Sequence, residues 1–391
     1  MKPIKSLRHA AVVAAALCAT SASQAVSPTL LLAATLQPET MFLGFIAPVT
    51  SAEFLTTAGL VVNNVPLVRD FYGPAEQWLP RARRWAINSP SAINPLFRVP
   101  PKPDATYVQS NYSQVIAFGD SMSDTGNLFK FTQALGGAGL PQAPSFQGRF
   151  ADGMVALEVM ANQLRLPLTN YCFSGGQTGR GNLLPFWSWQ RGMLFQIDEF
   201  HRTMTSQAKP SNDPQALYFL WAGPNDFFEG INMYSKQTAK TAASNHLKAI
   251  RSLYARGSRH LLIPLMPDLS LTPQSAAFEK QDKGYMQAAR QRSEEYKAEL
   301  LRVFDQARAE MPGIDIRTYD NLEAMRESLP RFAAQGMNVT EACYTGKLQA
   351  GQTVRLVCDR PDNYFFWDKN HPTERIGREI GAAFAQAAVA P

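Results

Sequence analysis

Short apolar runs alternate with longer amphipathic segments along the chain from about Ser113 onward. Four runs have the length and composition of buried strands: Gln114–Phe118, Ala216–Ala222, His260–Met266 and Ile314–Thr318. Four longer segments have the apolar spacing of helices: Gly153–Leu164, Thr238–Ala255, Ser275–Ala309 and Thr373–Ala388. This alternation predicts an α/β fold in which helices cover both faces of a parallel sheet. The ligand crevice of such a sheet lies beyond the carboxyl ends of its strands.

The first 25 residues have a different pattern. Three basic residues (Lys2, Lys5 and Arg8) precede an apolar stretch from Ala10 to about Ala22, and Ser23-Gln24-Ala25 follows it. A basic start, an apolar centre and a small-x-small end are typical of a secretory signal peptide. A buried amino-terminal helix is the alternative, but no amphipathic period is visible. We therefore predict cleavage near Ala25 and export, either to the medium or to a periplasm.

Residues 26–110 form a second region, in which short apolar runs are separated by Pro, Asn and Ser. A Pro-rich linker over Asn94–Pro103 closes it. We interpret the basic cluster Arg81–Trp85 as a solvated face, with a membrane-surface patch as the alternative. No chemical motif occurs in this region. The sequence thus predicts an amino-terminal extension with a linker over 26–110, followed by the main domain over 111–391.

Composition and charge narrow the class of protein. The 391 residues are 45% hydrophobic and 18% charged, which is typical of a globular chain. No apolar run reaches the roughly 18–20 residues that a bilayer-spanning helix needs, so a membrane-spanning protein is not expected. The net charge is +6, and the predicted signal peptide holds three basic residues and no acidic one. The excess that remains is too small to indicate a nucleic-acid partner.

Export changes the interpretation of the cysteines, of which three lie beyond the predicted signal peptide. In an oxidising compartment, Cys343 and Cys358 can pair and close a short loop, and Cys172 is then left without a partner cysteine. A loop of that length stabilises a fold by roughly 3 kcal/mol in the chain-entropy model. Three free buried thiols are the alternative. The Cys and His spacings do not resemble those of zinc sites, so no metal is expected.

His371 is the candidate general base, because it lies in an irregular segment just before a predicted helix. Asp368, three residues earlier, can accept a hydrogen bond from its Nδ1–H. That contact would select the tautomer in which Nε2 is free to take a proton. The other histidines are expected in less reactive places: His9 in the signal peptide, His201 and His246 exposed on helices, and His260 at the start of a strand.

Ser121 is the candidate nucleophile. The chain has no Gly-x-Ser-x-Gly elbow, but Gly119-Asp120-Ser121 follows the first predicted strand, where a hydroxyl can face the crevice. The side chains of Asp120 and Asp124 are expected to hold this turn by hydrogen bonds to its backbone. The alternative is an ordinary capping serine in a polar loop.

Two further segments contain groups that can stabilise an oxyanion. Asn225, in Gly223-Pro224-Asn225-Asp226, can donate side-chain N–H groups, and Gly175 can donate a backbone N–H with no side chain in the way. Counting from Asn170 favours Gly175 over Gly176 as the donor. Each segment alone could be an ordinary turn, so the prediction of an oxyanion hole depends on the segments occurring together.

The four segments in this order resemble the SGNH/GDSL hydrolases. They are Gly119-Asp120-Ser121, the glycine after Asn170-Tyr171, Gly223-x-Asn225-Asp226 and Asp368-x-x-His371. The resemblance covers roughly residues 114–388. The fuller strings around Ser121 and His371 are similar to those of the secreted bacterial branch. That branch includes phospholipases, thermolabile haemolysins and glycerophospholipid–cholesterol acyltransferases.

The resemblance implies a flavodoxin-like, three-layer α/β/α domain. It implies Ser121 as the nucleophile, His371 as base and then acid, and Asp368 as the residue that orients His371. The oxyanion hole would consist of the Ser121 N–H, the Gly175 N–H and the Asn225 side chain. No metal or organic cofactor is implied. Some members also carry a disulfide loop shortly before the Asp-x-x-His segment, which fits a Cys343–Cys358 pair.

The expected substrates are acyl esters of phospholipids, with cholesterol as a second acyl acceptor besides water and only transient contact with a membrane surface. Leu183–Trp189 is a candidate apolar wall for the acyl chain, with Leu184, Phe186, Trp187 and Trp189 as its contacts. These residues could instead simply cover the core. A short-chain or carbohydrate esterase on the same residues is the alternative enzyme. A non-enzymatic membrane-lysing or binding protein is the alternative outside enzymes.

Overall fold

The structure, a computed structural model, describes residues 107–135, 139–184, 190–207, 211–228, 232–346 and 357–390. The predicted signal peptide and nearly all of the predicted extension, with the basic cluster at 81–85, therefore lie outside the described residues. Contacts along the chain assign residues 107–129 and 139–390 to one structural unit, which contains everything discussed below. Residues 130–135, the end of the first helix, are assigned to a different unit.

A five-stranded parallel sheet forms the centre of this unit. Its strands are β1 (Val115–Gly119), β2 (Leu168–Asn170), β3 (Leu217–Trp221), β4 (His260–Leu262) and β5 (Asp315–Arg317). Their order across the sheet is β2-β1-β3-β4-β5, with every neighbouring pair parallel. This is the strand order of flavodoxin-like folds. The predicted α/β class and parallel sheet are confirmed, whereas the extension cannot be compared.

Nine helices are described: α1 (Asn127–Ala134), α2 (Ala156–Gln163), α3 (Met193–Ser206), α4 (Pro224–Phe227), α5 (Lys236–Ala255), α6 (Pro273–Glu279), α7 (Tyr285–Glu310), α8 (Asn321–Ala334) and α9 (Glu374–Val389). Short 3₁₀ turns occur at Asn232–Tyr234, Leu269–Leu271 and Pro361–Asn363. Among the described residues, no helix is both long enough and apolar enough to cross a bilayer.

The helices cover both faces of the sheet, which explains why its strands are apolar without interruption. Ile116 and Phe118 of β1 pack in the core shared with α3, α5 and α7. Val115 and Ala117 of the same strand pack in the opposite core, with α2 and α9. Successive side chains of a strand point to opposite faces, so a strand buried on both sides needs apolar residues throughout.

Of the elements given so far, α1, α3, α4 and α8 were not predicted, and two others also differ from the sequence pattern. The helix expected over 275–309 is two helices, α6 and α7, because Gly284 has a left-handed φ of +94°. The Glu279 carboxylate accepts hydrogen bonds from the N–H groups of Gly284 and Met286, at 3.1 and 2.9 Å, and so caps α7. Strand β2 was not predicted, because three residues are too few to show a period.

A second, two-stranded parallel sheet lies late in the chain. It pairs β6 (Asn338–Ala342) with β7 (Tyr364–Phe366). A disulfide between Cys343 and Cys358 follows β6 directly, so the predicted pair is present, and among the described residues Cys172 is the free, buried cysteine. The N–H of Cys343 donates to the Phe366 carbonyl at 3.0 Å. The disulfide loop is thereby attached to the strand that leads into Asp368.

Candidate active site

The predicted site residues come together at the carboxyl edge of the central sheet. Ser121 follows β1, Gly175 follows β2 and Asn225 follows β3. The segment after β7 brings Asp368 and His371 to the same place, and all five residues line one cavity. Strands that are parallel end at one edge, which is why residues far apart in sequence converge here.

A continuous hydrogen-bonded chain joins Asp368, His371 and Ser121. His371 Nε2 lies 2.7 Å from Ser121 Oγ, and His371 Nδ1 lies 2.8 Å from both carboxylate oxygens of Asp368. A carboxylate can only accept, so the proton of the neutral imidazole resides on Nδ1. Nε2 is then an acceptor that faces the serine hydroxyl, which is the arrangement of a nucleophile with its general base.

Asp368 remains ionised in this position. Burial by itself would raise the pKa of Asp368, but electrostatic attraction to His371 and three hydrogen bonds outweigh it, so the pKa lies below its usual value. Besides the imidazole, the backbone N–H groups of Asn370 and His371 donate to the same carboxylate, each at 2.8 Å. Asp368 thus has two roles: it holds the backbone of the segment and it orients the imidazole ring of His371.

Packing further restrains the imidazole. The Phe150 ring lies 4.8 Å from the His371 ring, centroid to centroid. The backbone of the segment is held as well, because the N–H of Trp367 donates to the His371 carbonyl at 2.8 Å. The fully buried indole of Trp367 stacks on Tyr344, which follows the disulfide cysteine Cys343. Asp368 and His371 are therefore held by apolar contacts as well as by hydrogen bonds.

The turn that carries Ser121 is held by two buried carboxylates. Asp120 accepts the N–H of Met122 at 3.0 Å. Asp124 accepts the N–H of Gly126 and both the N–H and the hydroxyl of Ser174, at 2.7 to 2.8 Å. Asp124 therefore links the Ser121 turn to the residue that precedes Gly175. Burial raises the pKa of Asp120 to about 7 against the opposing Met122 hydrogen bond and His371 charge, so its carboxyl is partly protonated at neutral pH.

Gln196, on α3, supports the end of β1 and was not identified from the sequence. Its side-chain amide accepts from the N–H of Gly119 and donates to the carbonyl of Gly119, both at 2.8 Å. Gly119 itself must be glycine, because a Cβ there would lie 2.3 Å from the Trp221 carbonyl oxygen. A contact across 77 residues leaves no local signal in a sequence, so only the fold reveals it.

The two glycines after β2 differ in what their N–H groups do. The N–H of Gly176 donates to the Phe173 carbonyl at 2.9 Å, so it is already used. Gly175 has a left-handed φ of +79°, and a Cβ there would lie 2.5 Å from Asn182 Oδ1. This geometry favours the N–H of Gly175 as the oxyanion donor, in agreement with the count along the sequence.

Asn225 is buried, and its amide is oriented by one hydrogen bond. Nδ2 donates to the Gly176 carbonyl at 3.1 Å, which leaves the second N–H of the same nitrogen for a ligand. Thr178 fixes the two turns to each other, because its N–H and hydroxyl donate to the Asp226 carboxylate at 2.8 and 2.7 Å. The sequence pattern included Asp226 but did not single out Thr178.

The cavity at the site has a volume of about 840 Å³, within the usual range of small-molecule pockets. Leu184 and its neighbour Leu183 line it, as expected for an apolar wall. The other proposed acyl contacts, Phe186, Trp187 and Trp189, lie outside the described residues. Much of the remaining wall is apolar and was not predicted. It is contributed by α8, β7 and α9, with Met325, Phe332, Phe365, Phe366, Ile376 and Ile380.

Two histidines expected on exposed helix surfaces are buried instead. His201 contacts Asn212 at 3.4 Å, and His246 contacts the hydroxyl of Tyr296 at 3.1 Å. Burial lowers the pKa of each imidazole to about 4, so both are neutral at physiological pH. The charged residues around them in sequence occupy the outer helix faces, which misled the prediction. Within the described ranges, no group of three His, Cys, Asp or Glu side chains could hold a metal ion.

Comparison with known proteins identifies the class to which this fold and site belong. The family model for GDSL-like lipases and acylhydrolases matches residues 115–384, so the chain belongs to that family. The match includes all four segments that carry the resemblance in the sequence. A solved structure, the carbohydrate acetylesterase Est24 of Sinorhizobium meliloti, aligns at a TM-score of 0.36 and 14% identity, over 70% of this chain and 96% of that one. A similarity this low carries no argument.

Two bacterial relatives bear the names of the branch that the sequence resembles. The chain is 24% identical to a thermolabile hemolysin of Vibrio parahaemolyticus, over 71% of this chain and 64% of that protein. It is 29% identical to a phosphatidylcholine-sterol acyltransferase of Aeromonas hydrophila, over 60% of this chain and 66% of that protein. The chain thus spans just under two thirds of either relative. A GDSL esterase/lipase of Arabidopsis thaliana is 24% identical, over 69% of this chain and 88% of its own length.

Proposed function

We propose that this protein is a serine lipolytic esterase that releases fatty acid from phospholipids or lysophospholipids through an acyl-enzyme on Ser121. One observation carries the proposal. The hydrogen-bonded chain from Asp368 through His371 ends on the Ser121 hydroxyl, and that hydroxyl lines a large cavity with a mostly apolar wall. An activated nucleophile beside such a wall suits an ester with a long acyl chain.

The reaction proceeds in two halves. Ser121 Oγ attacks the ester carbonyl carbon while His371 Nε2 takes the hydroxyl proton, and the carbonyl π electrons move to oxygen. The tetrahedral intermediate collapses, the bond to the leaving alkoxide breaks, and His371 gives it the proton. Water then attacks the acyl carbon while His371 takes its proton. The bond to Ser121 Oγ breaks, His371 returns the proton to Oγ, and the fatty acid leaves. Asp368, held ionised, stabilises the imidazolium formed in each half.

The negative charge on the carbonyl oxygen needs donors that are in place before the reaction. We assign this role to the backbone N–H groups of Ser121 and Gly175 and to the side-chain amide of Asn225. The supporting geometry is the bond from Asn225 to the Gly176 carbonyl, which aims the amide, and the positive φ of Gly175. Because all three donors are held by the fold, no energy is spent on reorganising them during the reaction.

A sterol alcohol is a second candidate acceptor, since it can replace water in the second half-reaction. The support is the relative named for acyl transfer from phosphatidylcholine to sterol. We also propose that the protein is exported, as the pattern of residues 1–25 predicts. The Cys343–Cys358 disulfide supports this, because disulfides form and persist in oxidising compartments. Contact with a membrane surface would then be transient, during extraction of the lipid.

The test is fatty-acid release from phosphatidylcholine and lysophosphatidylcholine vesicles, with and without cholesterol, by the wild type and by Ser121→Ala. We expect release that disappears in the variant, with cholesteryl ester formed where transfer occurs. Cleavage of short-chain esters without any release from either lipid would favour the short-chain or carbohydrate esterase instead. Vesicle lysis that survives Ser121→Ala would favour a non-enzymatic lytic protein.

A further inference from the structure

The cavity extends well beyond the reacting groups, into a space between α8 and α9. On α8 the lining residues recur at helical spacing, with Ala324, Ser328 and Arg331 on one face. On α9 the lining residues Ile376, Ile380 and Ala383 also recur at helical spacing. Each of the two helices thus presents a stripe of residues to one continuous space, which we call the α8–α9 arm.

The inner part of the arm is apolar and belongs to a distinct cluster of buried residues. Met325 and Phe332 of α8 pack in this cluster with Phe365 of β7 and Ile376 of α9. Ile380 packs against the same cluster and also lines a small recess beside Ser121 and His371. The arm is therefore continuous with the catalytic serine through apolar side chains.

The outer part of the arm is polar. Arg331 and Glu379, which both line the cavity, form an ion pair at 3.0 Å between α8 and α9. Both side chains are about half exposed, so this end of the arm reaches the protein surface. An apolar interior with a charged pair across its outer end suits a long hydrocarbon chain, which gains from burial along its length and requires no polar partner.

From this continuity and polarity we infer that the α8–α9 arm holds the acyl chain of the ester and sets the chain length that the enzyme accepts. The inference rests on the proposed function, because it places the acyl chain of the same substrate. It differs from the sequence-based expectation, which put the acyl contacts on residues 183–189. Ala324 of α8 and Ala383 of α9 are the small residues among those that line the arm.

Matched alanine-to-phenylalanine substitutions test the inference. Ala383→Phe and Ala324→Phe fill the arm from opposite walls. Ala382→Phe and Ala333→Phe place the same ring on the same helices at positions outside the described lining of the cavity. The measured quantity is the ratio of kcat/KM for p-nitrophenyl palmitate to that for p-nitrophenyl acetate. A ratio cancels any general loss of activity that a substitution causes.

We expect both arm variants to lower this ratio by about tenfold or more, because a pocket discriminates by roughly that factor for each methylene it fails to accommodate. The two control variants should keep the wild-type ratio. Equal ratios in arm and control variants would overturn the assignment. So would arm variants that reduce acyl transfer to cholesterol while the chain-length profile of hydrolysis stays unchanged, since the arm would then hold the acceptor.

A binding measurement separates this inference from the proposed function. Palmitate binding to the full-length protein is followed by calorimetry, which requires no catalysis. Weaker binding in Ala383→Phe than in Ala382→Phe supports the arm even if the wild type hydrolyses no lipid, in which case only the proposed function fails. Hydrolysis of lipid together with equal palmitate binding in the two variants would leave the function standing and refute the arm.

Discussion

The candidate site has two halves, which meet where His371 Nε2 lies 2.7 Å from Ser121 Oγ. Different interactions hold the two halves in place. The nucleophile half comprises the turns after β1, β2 and β3, which are tied together by two carboxylates. The buried Asp124 bonds to Ser174, and the partly buried Asp226 bonds to Thr178. The proton-transfer half comprises the segment after β7, which is supported by a two-stranded sheet, a disulfide and the stacked Trp367.

The difference shows how one fold secures two requirements. Oxyanion donors must be preorganised to a fraction of an ångström, and a buried polar network at a sheet edge provides that rigidity. The histidine must be oriented but also exchange a proton, and a short segment anchored at both ends is sufficient for it. The two halves should therefore respond separately to substitution, and the following predictions test that separation.

Removal of the nucleophile should have the largest effect. In Ser121→Ala we expect kcat for ester hydrolysis to fall by about 10⁶-fold, the scale seen when a serine hydrolase loses its nucleophile. Thermal unfolding should stay close to that of the wild type, because Ser121 is only partly buried at the cavity. Initial rates on p-nitrophenyl esters measure the effect. Retention of more than a small fraction of the rate would show that Ser121 is not the nucleophile.

Asp368→Asn tests the proton-transfer half by itself. An amide in place of the carboxylate can select the wrong imidazole tautomer and no longer stabilises the imidazolium, so we expect kcat to fall by about 10⁴-fold. Asp362→Asn, an exposed acid in the same segment, is the matched control and should have little effect. Similar losses in the two variants would mean that Asp368 does not orient His371.

Asn225→Ala tests the nucleophile half. Loss of one oxyanion donor typically costs about 10²–10³-fold in kcat with little change in KM, because the ground-state carbonyl binds the donor only weakly. Steady-state kinetics on a soluble ester separate the two constants. An unchanged kcat with a raised KM would instead identify Asn225 as a residue for substrate binding.

Removal of the disulfide tests whether the halves are independent. In the Cys343→Ala/Cys358→Ala variant we expect the free energy of unfolding to fall by about 3 kcal/mol, the chain-entropy value for a loop of this length. A moderate loss of kcat should accompany it, because Cys343 is bonded to the strand that leads into Asp368. Urea denaturation and ester hydrolysis measure the two effects, and dithiothreitol should affect the wild type but not the variant.

The variant without the disulfide also allows a direct test of whether the two halves are coupled. If the nucleophile half is held independently, Asn225→Ala should reduce kcat by the same factor with and without the disulfide. A factor that differs by more than about threefold would mean that the two halves are coupled.

The last expected effect concerns the pH dependence of stability rather than activity. Burial raises the pKa of Asp120 to about 7, so the folded state favours the protonated carboxyl more than the unfolded chain does. This contribution is complete below about pH 4 and is lost as the pH rises toward 7, on the order of 4 kcal/mol in total. Asp120→Asn should therefore flatten the fall in unfolding free energy between pH 4 and 7, as followed by urea denaturation. Asp362→Asn should keep the wild-type slope.

The sequence was informative where chemistry depends on neighbours along the chain. Asp368 and His371 are three residues apart, and Asp120 and Asp124 flank Ser121, so local hydrogen bonds predicted from spacing are those observed. It was uninformative where the partner is remote. Gln196 reaches Gly119 across 77 residues, and the burial of His201 and His246 depends on which helix face meets the sheet.

The sequence alone thus determined the α/β class, the family and the order of the four chemical segments. The class follows from apolar periodicity, and the family from the resemblance of four segments whose side chains lie close together in the chain. Only the tertiary structure showed that the N–H of Gly176 is already bonded and how the two halves are held. It also revealed the space between α8 and α9. The physical reason is that a donor's availability and a cavity's shape depend on atoms supplied by distant segments, which no local pattern encodes.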